Sequence, residues 1–208
     1  MYSSLFTASL LLVPTVLCQT PPGISPAASK NLGVRYNDLT LSANQLLPES
    51  TIPGTPTVSL DQSLTGTYMV MLVDQSIPQS SITSTGPQVQ GLQPCRTTRL
   101  HWLQTSLSQT SSGTFVSNSS AIAEYGSPLP GLDDIAHTYV FWLFPQPANF
   151  TLPPWDAGRV YNPIEVYARM NFSTNVIAQE VGAPIAASLV SVPVSVSMPR
   201  AGEHNSVW

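Results

Sequence analysis

Three side chains in this sequence are suited to acid–base or anion chemistry. His137 stands where a loop rich in proline and glycine gives way to the apolar run 139–144. Asp74 closes a second apolar run, and His101 lies inside a third segment with the character of a strand. Imidazoles exchange protons near neutral pH and hydrogen-bond to anions. An aspartate that ends a buried strand needs a partner, because an unpaired buried charge is costly.

Two of these residues also have an ordinary structural explanation. By residue type alone, His137 is more commonly a hydrogen-bonded histidine at the end of a strand. Asp74 is equally consistent with a turn aspartate whose side chain caps its own loop. The residues by themselves leave both alternatives open.

The elements that position these side chains are predicted to be short strands. The runs 67–74 and 139–144 are almost wholly apolar, which is typical of strands buried on both faces. A period of two predicts that His101 and Trp102 point to opposite faces of their strand. Further strands are predicted at 32–36, 39–41, 55–60, 97–104 and 184–192.

One helix is predicted late in the chain, over residues 173–182. Ser173 or Thr174 can cap its start, Gly182 can end it, and Pro184 prevents its continuation. Many short strands with a single late helix predict an all-β sandwich with small helical additions.

The composition of the chain restricts its class. It has 208 residues, the size of one ordinary domain, and its 42% hydrophobic residues are not the composition of a disordered protein. Only 9% of the residues are charged, the formal net charge is −4, and Lys30 is the only lysine. A basic surface that binds a nucleic-acid backbone is therefore not expected.

The N-terminal sequence predicts entry into the secretory pathway. Residues 1–18 have a short apolar centre and end in a plausible cleavage site, as in a signal peptide. We expect a leader over 19–30, one domain over 31–208, and a secreted or vacuolar location. Glycosylation sequons begin at Asn118, Asn149 and Asn171.

The two cysteines are not expected to form a disulfide in the mature chain. Cys18 would leave with the signal peptide, so that Cys95 would remain alone. We interpret Cys95 as a small buried apolar residue rather than a reactive thiol.

Four segments, in order along the chain, resemble the phosphatidylethanolamine-binding protein (PEBP) family in its secreted fungal form. The segments are 68–78, 100–103, 125–140 and 171–186. The resemblance implies a mainly β fold, a two-sheet antiparallel β-sandwich with short peripheral helices. It also implies a small pocket at one end, which in the family holds phosphate or a phosphoryl headgroup.

The resemblance also implies which residues line the pocket. Carried over by position, they are Asp74, His101, Pro130, His137 and Tyr139. A carboxylate near the imidazoles would fix their tautomers and raise their pKa values.

The sequence departs from the family pattern at three positions beside this pocket. Ser76 stands in place of the second aspartate of the Asp-Pro-Asp-x-Pro motif, and Thr138 in place of the arginine after the histidine. Ile135 replaces a glycine two residues before that histidine. If the family's aspartate and arginine face each other, the loss of both removes an ion pair and leaves neither charge unpaired. A ligand other than phosphate is then credible.

The resemblance implies two classes of function. The first is conversion of a small anionic metabolite in fungal secondary metabolism, such as the coupling of maleic-anhydride monomers to nonadrides. His137 and His101 would then be catalytic and move a proton. The alternative is a binding module without enzymatic activity, either a phospholipid-headgroup binder with weak membrane contact or an inhibitor of a serine carboxypeptidase.

A metal site built from Asp74, His101 and His137 is a third alternative. Two imidazoles and a carboxylate are sufficient ligands. None of the short-spaced metal-binding motifs is present, and we expect neither a metal nor a cofactor.

Overall fold

The computed structural model describes residues 24–52, 54–78, 96–131, 134–157, 160 and 169–194. The strands are β1 (Gly33–Tyr36), β2 (Leu39–Thr40), β3 (Gln45–Leu46), β4 (Thr57–Ser59), β5 (Tyr68–Pro78), β6 (Arg96–Gln109), β7 (Phe115–Val116), β8 (His137–Pro145) and β9 (Ala186–Val192). The helices are a 3₁₀ turn at Glu49–Thr51, α1 (Pro154–Ala157) and α2 (Thr174–Val181). The predicted signal peptide, leader residues 19–23 and Cys95 lie outside the described residues.

The described strands form two sheets. The smaller sheet has the order β2-β1-β4 and the larger one the order β3-β9-β8-β5-β6-β7. All strand pairs are antiparallel except β3 with β9, which run parallel. The prediction of a mainly β, two-sheet fold with short helices is confirmed, and the strictly antiparallel pairing is corrected at this one edge.

Strand β8 is buried on both faces, as its apolar run predicts. Alternate side chains face opposite ways, because successive residues of a strand point to opposite sides of the sheet. Tyr139, Phe141 and Leu143 join the core that also contains residues of the smaller sheet. Val140, Trp142 and Phe144 join a second core on the other face, where Ile177 of α2 packs.

Helix α2 begins and ends as the sequence predicts. The Ser173 hydroxyl caps its start by accepting a hydrogen bond from the Val176 backbone N–H. Gly182 follows its last residue with a φ of 91°, a conformation that suits glycine. Within the described ranges, no helix has both the length and the apolar character needed to cross a bilayer.

Strand β6 is longer and less regular than predicted. Residues 105–109 continue the strand, where a surface connection was expected. The register between β5 and β6 shifts between the Leu72–Trp102 and Val73–Leu100 pairs, so that His101 is an additional residue on β6. The simple alternation behind the prediction for His101 and Trp102 is interrupted here. Trp102 belongs to the core between the sheets, and the His101 ring lies against Tyr139 of the same core.

The three glycosylation sequons differ in exposure. Asn118 and Asn149 are exposed, as attachment of a glycan requires. Asn171 is only 3% exposed, and its Oδ1 accepts a hydrogen bond of 3.3 Å from the Thr97 hydroxyl. The burial of Asn171 makes it the least favourable of the three sequons for glycosylation, which stays a prediction at all three.

Candidate functional site

A buried ion pair joins Asp74, inside β5, to His137, the first residue of β8. His137 Nδ1 lies 2.7 Å from Asp74 Oδ2, and both side chains are buried. Asp74 Oδ1 accepts a hydrogen bond of 2.7 Å from the Ser76 backbone N–H. Asp74 lies within β5 rather than in a turn, and its carboxylate both accepts from the backbone two residues on and pairs with the histidine.

The outer nitrogen of His137 is also occupied. Its Nε2 lies 2.9 Å from Asp134 Oδ2. Arg96 holds the same carboxylate through two contacts, Nη1 to Oδ2 at 2.9 Å and Nη2 to Oδ1 at 2.8 Å. Arg96 Nη1 additionally donates to the Ser76 carbonyl at 2.7 Å. A continuous chain of charged groups thus runs from Asp74 through His137 and Asp134 to Arg96.

These contacts favour the charged form of His137. Burial disfavours an imidazolium, but the hydrogen bonds and charges of Asp74 and then Asp134 outweigh burial and raise the pKa of His137. The bidentate hydrogen bonds from Arg96 hold the pKa of Asp134 well below its usual range. His137 therefore donates from both ring nitrogens, one to each carboxylate.

His101 has the opposite electrostatic character. Its Nδ1 lies 2.9 Å from the Gly126 carbonyl oxygen, and the Gly126 N–H donates to the His101 carbonyl at 2.7 Å. A carbonyl can only accept, so Nδ1 carries the hydrogen. Burial lowers the pKa of His101 to about 4. At neutral pH the ring is therefore uncharged, and its Nε2 bears a lone pair.

Tyr139 lies between the two histidines. Its ring centroid is 5.2 Å from that of His101, edge to face, and 6.3 Å from that of His137. Burial raises the pKa of its hydroxyl, with a further contribution from the Asp74 charge. In the part of the chain that the structure describes, His101 Nε2 has no hydrogen-bond partner. The Tyr139 hydroxyl has none of regular geometry, but the Asp74 carboxylate lies near enough for a hydrogen bond to contribute to its raised pKa. The backbone of Leu129 is close enough to influence the hydroxyl.

The structure thus brings together four of the five residues that the resemblance places in the pocket. Asp74, His137, Tyr139 and His101 form one connected group through the contacts above. Pro130 is buried in the loop that precedes β8. The functional roles of these five residues remain predictions.

Two arginines that sequence reasoning missed add positive charge to this region. Arg99 lies directly opposite Asp74 in the β5–β6 register, and it is separated from His101 by one residue. Arg169 is buried, has a φ of 66°, and donates to the Glu124 carbonyl at 2.6 Å. Both charges disfavour protonation of His101. In the sequence, Arg99 stands two residues before His101, a predicted pocket residue, and this spacing was the available signal for Arg99.

Arg96 and Asp134 were also missed. The acidic pair at 133–134, three residues before His137, was the signal for Asp134. Arg96 begins the strand that carries His101, but nothing local in the sequence connects it with Asp134.

The departures from the family pattern fit together in space. The Ser76 hydroxyl accepts a hydrogen bond of 2.9 Å from the Thr138 backbone N–H, so the two replaced positions are neighbours on β5 and β8. No charge is stranded there, as expected. The Ile135 N–H donates to Asp134 Oδ1 at 2.8 Å, and this bond helps to orient the carboxylate that contacts His137.

A metal centre finds no support in this arrangement. In the described ranges of the chain, no group of three or more histidine, cysteine, aspartate or glutamate side chains is arranged to hold a metal ion. Both ring nitrogens of His137 are already engaged by carboxylates.

The fold and this site define a two-sheet β protein with a buried histidine–aspartate pair beside a neutral histidine. The sequence matches the family model described as phosphatidylethanolamine-binding protein over residues 37–183. The chain therefore belongs to the PEBP family. A search of curated proteins finds no sequence that matches it.

Solved structures share this fold. A carboxypeptidase Y inhibitor, crystallised with its cognate proteinase, has 14% identity and a TM-score of 0.53, with 81% of this chain and 85% of the other covered. The phosphatidylethanolamine-binding protein from Plasmodium vivax has 11% identity and a TM-score of 0.52, with 84% and 92% covered. At these identities the likeness establishes the architecture alone.

The two histidines predict opposite contributions to stability as the pH changes. The folded-state pKa of His137 is raised, so its contribution is complete below the unfolded value of about 6.5 and is lost as the pH rises through the folded value. The folded-state pKa of His101 is about 4, so the unfolded chain takes up that proton first. Stability is therefore lost through His101 as the pH falls below about 6.5.

Urea unfolding between pH 4 and pH 9 tests this assignment. The groups that face His137 are Asp74, Asp134 and Tyr139. We expect His137→Gln to remove the decline above about pH 6.5, and His101→Gln to remove the decline below it. Profiles of the same shape as wild type in both variants would contradict the assigned charge states.

Proposed function

We propose that the chain binds the acidic group of a small metabolite between His101 Nε2 and the Tyr139 hydroxyl. The observation that carries this proposal is the buried Nε2 of His101, which has no hydrogen-bond partner among the described residues and whose ring lies edge to face against Tyr139, with centroids 5.2 Å apart. A buried polar atom without a partner costs about 1–3 kcal/mol, so a ligand that satisfies His101 Nε2 gains this free energy on binding.

The tautomer of His101 defines the complementary ligand group. Nε2 accepts a hydrogen bond, while the Tyr139 hydroxyl is able to donate one. A carboxylic acid or a phosphate monoanion presents both an O–H and an acceptor oxygen. An anion that arrives without a proton takes one up as it binds, and the positive charges of Arg99 and Arg169 favour its approach.

This geometry favours His101 over His137 as the group that moves a proton. The lone pair on Nε2 can accept a proton from a bound metabolite, and the Tyr139 hydroxyl can stabilise the charge that develops. His137, which donates to two carboxylates, contributes a fixed charge beside them. In this way the site would assist conversion of a small anionic metabolite, for example the coupling of maleic-anhydride monomers.

Titration with acetate and inorganic phosphate, followed by the side-chain ¹⁵N resonances of the histidines, tests the binding proposal. We expect the His101 Nε2 resonance to move, and the dissociation constant for acetate to rise about tenfold per pH unit above neutrality, because one proton is taken up. His101→Phe, which keeps an aromatic ring against Tyr139, should weaken binding at least tenfold, in line with the loss of about 1.4 kcal/mol.

Asp61→Asn, at an exposed position, is the matched control and should bind as wild type does. Equal affinity in wild type and His101→Phe, or a His101 resonance that neither ligand moves, would reject the proposal.

A role in binding without catalysis is the second candidate. Two apolar side chains beside the site are exposed, Leu129 by 65% and Ile135 by 47%. Such residues suit contact with a phospholipid surface or with a serine carboxypeptidase. Binding to anionic vesicles that is lost in the double variant Leu129→Ser, Ile135→Ser would favour this candidate. A secreted or vacuolar location remains part of the proposal for either role.

A further inference from the structure

We infer that Asp134 is an internal competitor that restricts the ligand class of the proposed site. Its carboxylate, held by Arg96, occupies the outer nitrogen of His137, which leaves a ligand only His101 and Tyr139. The site then suits a ligand with one acidic group that needs two contacts, and it disfavours a phosphate dianion. This inference rests on the proposed binding function and names a specificity-determining residue for it.

Both carboxylate oxygens of Asp134 are held by neighbouring donors. Oδ2 is 2.9 Å from His137 Nε2 and 2.9 Å from Arg96 Nη1, while Oδ1 is 2.8 Å from Arg96 Nη2 and 2.8 Å from the Ile135 N–H. Both carboxylate oxygens therefore accept two hydrogen bonds each. Arg96 is itself fixed by the Ser76 carbonyl on β5. Asp134 occupies the position that an anion bound to the imidazolium would take.

Asp134 and Arg96 lie nearer the surface than His137. The His137 side chain is 3% exposed, whereas the side chains of Asp134 and Arg96 are 13% and 18% exposed. Asp134 therefore covers the nitrogen of His137 that points away from the buried Asp74. A ligand that approaches this nitrogen meets the carboxylate first.

The charges in this chain of ion pairs balance. Two carboxylates, Asp74 and Asp134, alternate with two cations, His137 and Arg96, so the group is neutral as a whole. It offers an external anion no net attraction. Without the Asp134 charge, the Arg96 fork and the His137 N–H would face the same space with one excess positive charge. That donor set matches phosphate.

The test compares wild type, Asp134→Ala and Asp134→Asn by phosphate and acetate titration, followed through the histidine ¹⁵N resonances. In wild type we expect both ligands to shift the His101 ¹⁵N resonance and to leave the His137 ¹⁵N resonances unchanged. In Asp134→Ala we expect phosphate to move His137 as well and to bind at least tenfold more tightly than in wild type. Asp134→Asn keeps the shape of the side chain and an acceptor for His137 while it removes the charge, so we expect a smaller gain in phosphate affinity in the same direction if the alanine variant does not fold.

Asp61→Asn is the matched control, because it removes one exposed carboxylate elsewhere and should leave phosphate affinity within about twofold of wild type. Two results would overturn the inference. One is a phosphate-induced shift of the His137 ¹⁵N resonance that is as large in wild type as in the Asp134 variants, and the other is a phosphate affinity that is unchanged in both variants. If neither ligand moves His101 in any protein, the proposed function fails. The response of His137 in the Asp134 variants still decides the role of Asp134.

Discussion

Trp142→Ala is expected to lower the free energy of unfolding by about 4 kcal/mol, the upper part of the range for large core truncations. Trp142 lies at the centre of β8 and is fully buried in the core that α2 covers. Its indole Nε1 donates a hydrogen bond of 2.9 Å to the Pro26 carbonyl. Truncation therefore removes a large apolar side chain and also leaves a carbonyl without its donor.

Trp142→Phe separates these two effects. Most of the apolar volume is kept while the Pro26 hydrogen bond is lost, so we expect a cost of about 1–2 kcal/mol. Urea unfolding followed by far-UV circular dichroism measures both variants, with unchanged m-values as evidence that the transition stays comparable. A cost below about 1.5 kcal/mol for the alanine variant would show that this core is less well packed than its burial indicates.

Asp74→Ala is expected to cost a further large amount, about 3–5 kcal/mol at neutral pH, because it breaks a buried ion pair from one side. The His137 imidazolium would lose the partner at 2.7 Å, and the Ser76 N–H would lose its acceptor. Asp134 would still contact the other ring nitrogen, but it lies nearer the surface. The loss should be smaller at high pH, where His137 is neutral.

A double-mutant cycle separates the contribution of the Asp74–His137 ion pair from that of the hydrogen bond between Asp74 and the Ser76 N–H. Asp74→Ala combined with His137→Leu removes both partners, so we expect the double variant to be at least as stable as Asp74→Ala alone. Asp74→Asn, which keeps an acceptor for the Ser76 N–H, should cost less than Asp74→Ala. Strict additivity of the two single variants in urea unfolding would show that the pair is not coupled.

The strands and the late helix were predictable because their signals are local. An uninterrupted apolar run such as 139–144 has one stable place in a sandwich, a strand covered on both sides. The capping serine, the terminal glycine and the following proline at 173–184 define a helix without reference to the rest of the chain. Residues 105–109 were missed, because tertiary pairing with β5 and β7 extends a strand through a serine-rich sequence that favours a loop.

The charge states of the site were less predictable, because they depend on groups distant in sequence. The prediction treated both histidines as donors to an anion. The Gly126 carbonyl, 25 residues after His101, fixes the tautomer in which Nε2 accepts, and burial lowers the pKa of His101 where a raised value was predicted. Arg96, 38 residues before Asp134, holds the carboxylate that occupies the outer nitrogen of His137. Sequence spacing carries no record of either contact.

The amino-acid sequence by itself determined the mainly β class, the principal buried strands, the late helix and the family, since apolar periodicity, helix capping and short motifs act over a few residues. Only the tertiary structure decided that Asn171 is buried, that His101 is an additional residue on its strand, and that the two histidines differ in charge. The physical reason is that burial, register and pKa depend on which distant groups the packed chain brings within hydrogen-bonding distance.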